Sequence, residues 1–532
     1  MEAPLLNGVA EADYPPLRTF SDLKRVFFAE STKLWKIAAP IVFGIICQYG
    51  INSLTSIFVG HIGDVELSAV SISVSVIGTF AFGFMVLDLV KFLLIMRILS
   101  LDMRLVHLYL PLGMGSALET LCGQAYGAGQ VYLLGVYMQR SWIILTVSSF
   151  FILPIYWYAE PVLKLLGQAD EIAEVAGWFT RLLIPELFSM AIVFPTQKFL
   201  QAQSKVNVLA YIGLMALLLH AAMLWLFIFV FNSNLTGAAI ASNISSWVTA
   251  IAQVIYVVGW CKDGWTGLSR AAFNDIWAFV GLSFSSAVMI CLELWYMMSI
   301  IILTGHLDNA ALLENGQQVH GIIMRLQGDI RLGQGNKTFM NINGFEAMLF
   351  IGINAAISVR VSNELGQGHP LATKYSVYVT VFQSLLLGLL SMVIILITKD
   401  HFAVIYTSSK EMQAAVSKLA YLLGVTMVLN SVQPVISGVA IGAGWQTLVA
   451  CINLGSYYVF GLPLGYLLGY TKHFGVQGLW GGMICGLSLQ TILLLITLYK
   501  TNWTHEVNLS IERMKRWGGQ EAKIDVTAAD YI

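Results

Sequence analysis

The chain has 532 residues, of which 57% are hydrophobic and only 11% are charged, and its mean hydropathy is +0.74. These values exclude an ordinary soluble globular protein of this length and predict a polytopic membrane protein in a lipid bilayer. The net charge of −1 points to no particular partner, and we expect none among nucleic acids.

Long apolar runs follow one another along the chain, each with the roughly 20 residues that a helix needs to cross a bilayer. Twelve such runs predict an all-α fold with twelve transmembrane helices. In chain order, the runs lie near residues 36–59, 67–85, 136–158, 181–201, 207–231, 235–259, 277–303, 339–359, 375–398, 419–442, 446–470 and 475–499.

Lys and Arg residues concentrate in both tails, which predicts that both termini are cytosolic, as an even number of crossings requires. The predicted organisation is a cytosolic tail (1–34), a six-helix bundle (35–260), a cytosolic linker (261–275), a second six-helix bundle (276–503) and a cytosolic tail (504–532).

The two bundles are repeats of each other. "GMGSALETLCGQAYGAGQ" (113–130) aligns with "GINAAISVRVSNELGQGH" (352–369) at an offset of 239, which pairs Gly127 with Gly366. Later matches continue at offsets of 240 and 241. Two copies with six crossings each have the same orientation, so the sequence predicts two bundles related by a pseudo-two-fold axis along the membrane normal, around a central cavity.

Five motifs make the resemblance to a known family specific. They resemble, in order, the signature stretches of the multidrug and toxic compound extrusion (MATE) family, in its plant detoxification branch, over about residues 30 to 505. The motifs are "GSALETLCGQAYGAGQ" (115–130), "FLQAQSKV" (199–206), "CLELWY" (291–296), "AAISVRVSNELGQGHP" (355–370) and "LNSVQPVISGVAIGAGWQ" (429–446).

The resemblance implies a secondary transporter in which an ion gradient, usually of protons, drives export of an organic solute such as a xenobiotic or a flavonoid. It implies a location in the vacuolar or the plasma membrane. The sequence has no phosphate-binding loop and no dinucleotide fingerprint, so we expect neither an enzyme nor a cofactor beyond the proton gradient. The expected partners are a small organic solute and the proton, and we expect a monomer.

Glu293 is the one charged residue in "AVMICLELWYMMSIIIL" (287–303), near the middle of a predicted crossing. Desolvation at that depth favours the neutral carboxyl group, which can hold a proton until water or a cationic solute reaches it. An intramembrane acid is more often functional than structural. The resemblance assigns proton coupling to the matching glutamate, so Glu293 is the predicted proton-coupling residue.

Other polar and aromatic side chains are candidates for the substrate cavity, although hydrogen bonding or packing between helices would explain them equally well. Asn341 and Asn430, as well as Met298, replace acidic residues of many relatives, which leaves room for a neutral or anionic solute. An anion channel of the vacuolar membrane is therefore the alternative function. The cavity candidates are Gln48, Asn52, Trp295, Tyr296, Asn341, Asn430 and Gln433.

Four further ionisable residues are predicted to be structural. Glu119 lies in a Gly-rich stretch near a helix end, where it is expected to bind backbone amides or basic neighbours. Glu346, Glu364 and His220 are expected to serve packing or helix contacts. No cysteine or histidine pattern predicts a metal site.

Two segments interrupt the pattern of the family. Residues 86–111 carry six polar or charged groups and are predicted to extend the second helix or to lie at the membrane interface. Residues 313–337 are predicted to form a long polar loop. We interpret both as unspliced or misjoined exon sequence, because the motifs resume in register after each one.

Overall fold

The computed structural model describes residues 13–73, 114–165, 169–273, 333–398, 410–472 and 474–516, together with six single positions between 289 and 303. All regular structure in these residues is helical. Segment 86–111 and most of segment 313–337 lie outside them. A helix begins at Gly333, so the prediction of a loop is wrong for the last five residues of the second segment.

The first half of the chain contributes nine helices to the described structure. They are α1 (Phe20–Val59), α2 (Asp64–Ile72), α3 (Met114–Gly127), α4 (Tyr132–Trp157), α5 (Ala159–Leu165), α6 (Asp170–Leu182), α7 (Ile184–Ala202), α8 (Val206–Trp225), which continues as a π-helical turn (Leu226–Val230), and α9 (Asn234–Trp260).

The second half contributes seven helices with described bounds, besides the helical positions between 289 and 303. They are α10 (Gly333–Gln367), α11 (Pro370–Thr398), α12 (Lys410–Ala443), α13 (Gln446–Asn453), which continues as a π-helix (Leu454–Gly461), α14 (Leu462–Tyr466) with a second π-helical turn (Leu467–Thr471), α15 (Gly475–Lys500) and α16 (Trp503–Arg516).

Eight of the described helices are long and apolar enough to cross a membrane, and the bent pair α6–α7 makes a ninth. The predicted span 339–359 lies within α10. The other two predicted spans, 67–85 and 277–303, lie largely outside the described residues.

The helices of the two halves correspond at the offsets found in the sequence. α8 and α13 begin at Val206 and Gln446, 240 positions apart, and α9 and α15 begin 241 positions apart. Gly129 and Gly368 both adopt left-handed backbone angles, with φ of 74° and 81°. Glycine has no Cβ, so it adopts these angles without steric cost.

The first and second halves of the chain contact each other where α3 crosses α10. These are the two helices that carry the repeated motif. A Cβ atom on Gly127 would overlap the carbonyl oxygen of Asn363, and one on Gly366 would overlap the carbonyl oxygen of Gln124. The offset of 239 relates Gly127 to Gly366 and Gln124 to Asn363, so each of these contacts is the repeat equivalent of the other. A Cβ atom on Gly123 would overlap the side chain of Ser362, its own repeat equivalent. The pseudo-two-fold axis therefore passes through this crossing.

Two reciprocal hydrogen bonds join the halves beside the glycines. The Gln124 amide donates to the Gly442 carbonyl at 3.3 Å, and the equivalent Asn363 amide donates to the Ala202 carbonyl at 3.2 Å. Each bond satisfies a carbonyl group at the carboxyl end of a helix, α12 or α7. The glycine contacts and these bonds are hereafter the seam.

The amino-terminal arm, residues 13–17, crosses from the first half to the second. Both carboxylate oxygens of Asp13 accept backbone N–H groups at the start of α11, from Leu371 at 2.9 Å and Ala372 at 2.8 Å. Tyr14 donates its hydroxyl to Glu30 of α1 at 2.8 Å. The arm thereby supplies the amino-terminal cap that α11 lacks in its own sequence.

A buried ion cluster lies under this arm and comprises Glu30, Arg360, Glu364 and His369. The Arg360 guanidinium donates to both oxygens of Glu30, at 3.0 and 3.3 Å, and also pairs with Glu364. Burial alone would raise the pKa of Glu364, but the hydrogen bond with His369 and the Arg360 charge lower it overall. The carboxylate is thus ionised at neutral pH, and its stabilising contribution is lost only as the pH falls through that lowered pKa.

The carboxyl-terminal helix α16 also spans the two halves. Arg513 donates to the side-chain oxygen of Gln124 at 2.9 Å and to the Ala443 carbonyl, the last of α12, at 3.3 Å. A cation at a helix carboxyl terminus is electrostatically favourable. The arm, the ion cluster and α16 therefore close the same side of the molecule as the seam.

The close crossing predicts that Gly127→Ala destabilises the protein. The added methyl group meets backbone, which cannot move aside, so the expected cost is about 1–3 kcal/mol. Thermal unfolding followed by tryptophan fluorescence in detergent should show a melting temperature lower by several degrees. Gly259→Ala is the matched control, because no atom lies within 4 Å of its added Cβ. Equal melting of the two variants would contradict the crossing.

Candidate functional site

Glu293 belongs to a helical face of which six positions are described: Met289, Leu292, Glu293, Tyr296, Ser299 and Leu303. Five of them follow one another at three or four residues, and Glu293 is adjacent to Leu292, so all six lie on one side of a helix. This Glu293 face packs against other helices of the second bundle, including the one that carries Gln433. The acid therefore points into protein and not towards lipid.

Three polar side chains bind the backbone of the Glu293 face. Asn453 donates to the Met289 carbonyl at 3.3 Å, and Tyr458 donates to the Leu292 carbonyl at 3.0 Å. Nearer the end of the crossing, Tyr470 donates to the carbonyl of Leu303. These bonds fix the position of the Glu293 helix, along its own axis, relative to α13 and the π-helical segments that follow α13.

The Glu293 carboxylate accepts a hydrogen bond from the Gln433 amide of α12 at 3.3 Å. Gln433 is only 3% exposed and also donates to Ser437 at 3.3 Å. Glu293 itself is half-buried. The structure thus brings together two residues singled out from the sequence: Glu293, the predicted proton-coupling residue, and Gln433, a cavity candidate that here is its hydrogen-bond partner.

The π-helix Leu454–Gly461 is specific to the second half. Its counterpart in the first half, residues 214–221, is regular α-helix within α8, whereas the turns Leu226–Val230 and Leu467–Thr471 match each other. π-Helical turns occur often at functional sites because they redirect side chains. This one carries Tyr457 and Tyr458 beside the Glu293 face.

Tyr296 is a packing residue and does not line a cavity, which corrects its prediction as a cavity residue. Its ring is fully buried and stacks on Tyr457, with centroids 4.3 Å apart and an interplanar angle of 5°. Its hydroxyl donates to the Met483 carbonyl at 3.4 Å. The tyrosine pair holds the Glu293 face against α13 and α15.

The other cavity candidates are placed differently. Gln48 and Asn52 are exposed on α1 and lie one turn apart, on the side of the helix away from the exposed apolar residues Phe43 and Ile57. Asn430 of α12 is half-buried.

Two candidates have no described side chain. Trp295 lies outside the described residues. Asn341 lies within α10, but the structure describes only its backbone.

The residues predicted to be structural divide into two groups. Glu119 pairs with Lys198 at 2.5 Å, as predicted for a basic neighbour. His220 is fully buried and hydrogen-bonds Thr55 at 2.8 Å and Ser245 at 2.9 Å, so it ties α8 to α1 and α9. Glu346 differs, because both of its carboxylate oxygens are buried without a hydrogen-bond partner in the described part of the chain. No described group of three or more His, Cys, Asp or Glu side chains could hold a metal ion.

Comparison with known proteins identifies relatives over nearly the whole chain. The MatE family profile matches residues 99–226 and 321–467. Protein DETOXIFICATION 35 of Arabidopsis thaliana is 65% identical over 98% of both chains. Protein DETOXIFICATION 34 of the same plant is 57% identical over 97% of this chain and 87% of its own.

Solved structures agree with the fold. The crystal structure of the eukaryotic MATE transporter AtDTX14 has a TM-score of 0.78 at 28% identity and covers 92% of this chain and 99% of its own. The Vibrio cholerae MATE transporter VcmN in the bent form gives a TM-score of 0.69 at 16% identity, over 91% and 99%, and bears on the fold alone. The predicted fold of twelve transmembrane helices in two bundles is confirmed.

A double-mutant cycle tests the contact between Glu293 and Gln433. Glu293→Ala and Gln433→Ala should show a coupling of about 0.5–3 kcal/mol in stability, because each variant removes the partner of the other. Thermal or denaturant unfolding of the four proteins measures it. Asn354→Ala is the control for the second site, because Asn354 binds the Pro434 carbonyl and not Glu293. Additive effects for Glu293 and Gln433 would show that they do not interact.

Proposed function

Because the chain belongs to the multidrug and toxic compound extrusion (MATE) family of membrane transporters, we propose that it is a proton-coupled antiporter that exports an organic solute from the cytosol by alternating access. The observation that carries the coupling is the Glu293 carboxylate, which has a neutral amide as its hydrogen-bond partner and no described cation beside it. A carboxylate without a counter-charge in this setting is stabilised by a proton.

The closed seam supports the alternating-access part of the proposal. The side that carries both described chain ends is closed by the seam, the arm, the ion cluster and α16. With cytosolic termini, as the charge pattern predicts, this is the cytosolic side. Solute then enters from the cytosol only after the two bundles separate there, so these contacts form and break in every cycle.

Exposed polar groups on α1 support a solute path between the bundles. Gln48 and Asn52 offer amide donors and acceptors that suit an organic solute carrying hydroxyl groups or a positive charge. The solutes that fit are xenobiotics or secondary metabolites such as flavonoids. The membrane that fits this role is that of the vacuole or of the cell surface.

Glu293→Gln is expected to abolish proton-coupled transport, because the amide can neither bind nor release a proton. The measurement is proton flux into proteoliposomes, followed with a trapped pH-sensitive dye as solutes from a panel of organic cations and flavonoid glycosides are added. The expected fall in rate is at least about tenfold, which is 1.4 kcal/mol in the barrier. Glu174→Gln, an exposed carboxylate on α6, is the control.

The same vesicles distinguish the proposal from an anion channel. A channel would pass current without any solute exchange and would not require Glu293. An unchanged rate in Glu293→Gln, or current that is independent of proton exchange, would count against the antiporter.

Glu30→Gln is expected to favour the state that is open to the cytosol, because it leaves the buried Arg360 guanidinium without one of its anions. Thr120→Cys, one turn from Gln124 of the seam, reports this opening, since Thr120 is 2% exposed and donates to the Ile441 carbonyl across the two halves. Labelling by a membrane-impermeant maleimide from the cytosolic side should be about tenfold faster.

Lys33→Gln is the control for this experiment, because its ammonium group is partly exposed and lies 4.0 Å from Glu30. It should change the labelling rate little, because the ammonium group is partly exposed and solvent screens its charge. Equal labelling rates with and without the Glu30 carboxylate would show that the ion cluster does not hold the cytosolic side closed.

A further inference from the structure

A second acid, Glu346, is buried in the same half of the molecule as Glu293. It is 8% exposed, and neither of its carboxylate oxygens has a hydrogen-bond partner among the described residues. Native proteins leave few buried polar groups unsatisfied, so each such group calls for an explanation. The first explanation to test is a small ligand that occupies the site.

The Glu346 side chain lies on the inward face of α10. Phe350 and Ile353 follow it at helical spacing and pack into the apolar core of the second bundle, with Val435 and Ile436 of α12. The carboxylate is therefore inside the bundle and shielded from lipid. An ionised carboxylate in apolar surroundings without a partner costs several kcal/mol.

The register of α10 and α12 gives the height of Glu346. A Cβ atom on Gly438 would overlap the Asn354 carbonyl, and one on Gly442 would overlap the Ser358 carbonyl, both at an offset of 84 positions. The two helices run in the same direction, so the same offset of 84 positions also relates residues about two turns nearer their amino-terminal ends.

At this offset, Glu346 is level with Asn430. Gln433, which binds the Glu293 carboxylate, lies three residues, about 4.5 Å, further along the same helix. The two acids of the second bundle are therefore at similar depth, on helices that both pack against α12.

No described charge compensates Glu346. The charged residues of α1, α3, α11 and α16 that accompany α10 lie towards its carboxyl end, where Arg360 is fourteen positions, about 21 Å, away. α7 carries Lys198, which is paired with Glu119. The other titratable side chains described on α1 and α12 towards this depth are Cys47, Tyr49 and Tyr421, and none of them is a basic group.

We propose that Glu346 is a second proton-binding carboxyl group of the second bundle, exchanging its proton with water as the bundle changes state. The inference rests on the proposed function, because exchange requires that water reach the bundle interior in part of the cycle. A proton fits better than a metal ion, since no described oxygen or nitrogen ligand accompanies the carboxylate. When Glu293 and Glu346 each bind and release one proton per cycle, two protons move for each solute exported.

The test is infrared spectroscopy of the full-length protein in lipid, titrated with pH in the absence of any solute. The carbonyl stretching band of protonated carboxyl groups reports buried acids directly. In the unmodified protein, the band should be present at neutral pH and should disappear reversibly in alkali. Glu346→Gln should remove one component of the band and Glu293→Gln another, while Glu174→Gln should remove neither.

Glutamine has nearly the shape of protonated glutamate, so Glu346→Gln should fold, and its melting temperature checks this. An unchanged band in Glu346→Gln would overturn the proposal, because the carboxyl group would then be ionised. A Glu346 component that persists in strong alkali would also overturn it, because such a group exchanges no proton. A normal band in a protein that moves no solute would instead overturn the antiporter and leave the proton site standing.

Discussion

The close crossing of α3 and α10 is the constraint on which the remaining structure depends. Gly127 and Gly366 let each helix lie against the other's backbone, and Gly123 faces its own repeat equivalent. A contact of a residue with its equivalent occurs only on a two-fold axis, as in the symmetric interface of a homodimer. Because this crossing fixes where the halves meet, it also fixes which chain ends, loops and charges come together around it.

The helices of the two halves are arranged symmetrically, but the polar side chains inside the two halves differ. The first half places His220 among hydroxyl groups at the junction of α1, α8 and α9. The second half replaces regular helix with the π-helix Leu454–Gly461 and uses its tyrosines to hold the helix that carries Glu293. In the described residues, Glu293 and Glu346 are both in the second half. In the proposed cycle, the repeat provides the movement, while these two acids belong to one copy of it.

The repeat and the membrane fold could be predicted from the sequence, because an alignment of the two halves and the hydropathy of each run can be read directly from the chain. The proton-coupling role of Glu293 stays a prediction. The equivalence of Gly127 and Gly366 was visible in the sequence, but their mutual contact was not, since an alignment relates positions without placing them. Tyr296 illustrates the same limit. An aromatic residue in a crossing suits a solute site and a helix interface equally, and only the stack on Tyr457 decides between them.

Two features were missed because they depend on distant residues. Glu346 was expected to serve helix contacts, yet neither of its carboxylate oxygens has a hydrogen-bond partner among the described residues. Its signal in the sequence was only that it shares a face with apolar residues of α10. The arm was predicted to be part of a cytosolic tail, because no local pattern indicates that Asp13 caps a helix 358 positions away.

That separation has a consequence during synthesis on the ribosome. Asp13 and Glu30 emerge first, but Leu371 and Arg360 appear only after more than half of the polypeptide has been made. At about 5–20 residues per second, the wait lasts roughly 20 to 70 seconds. During that time, Glu30 lacks its Arg360 partner and the arm lacks the helix end that it caps, so the earliest part of the protein to be translated is among the last to reach its final partners.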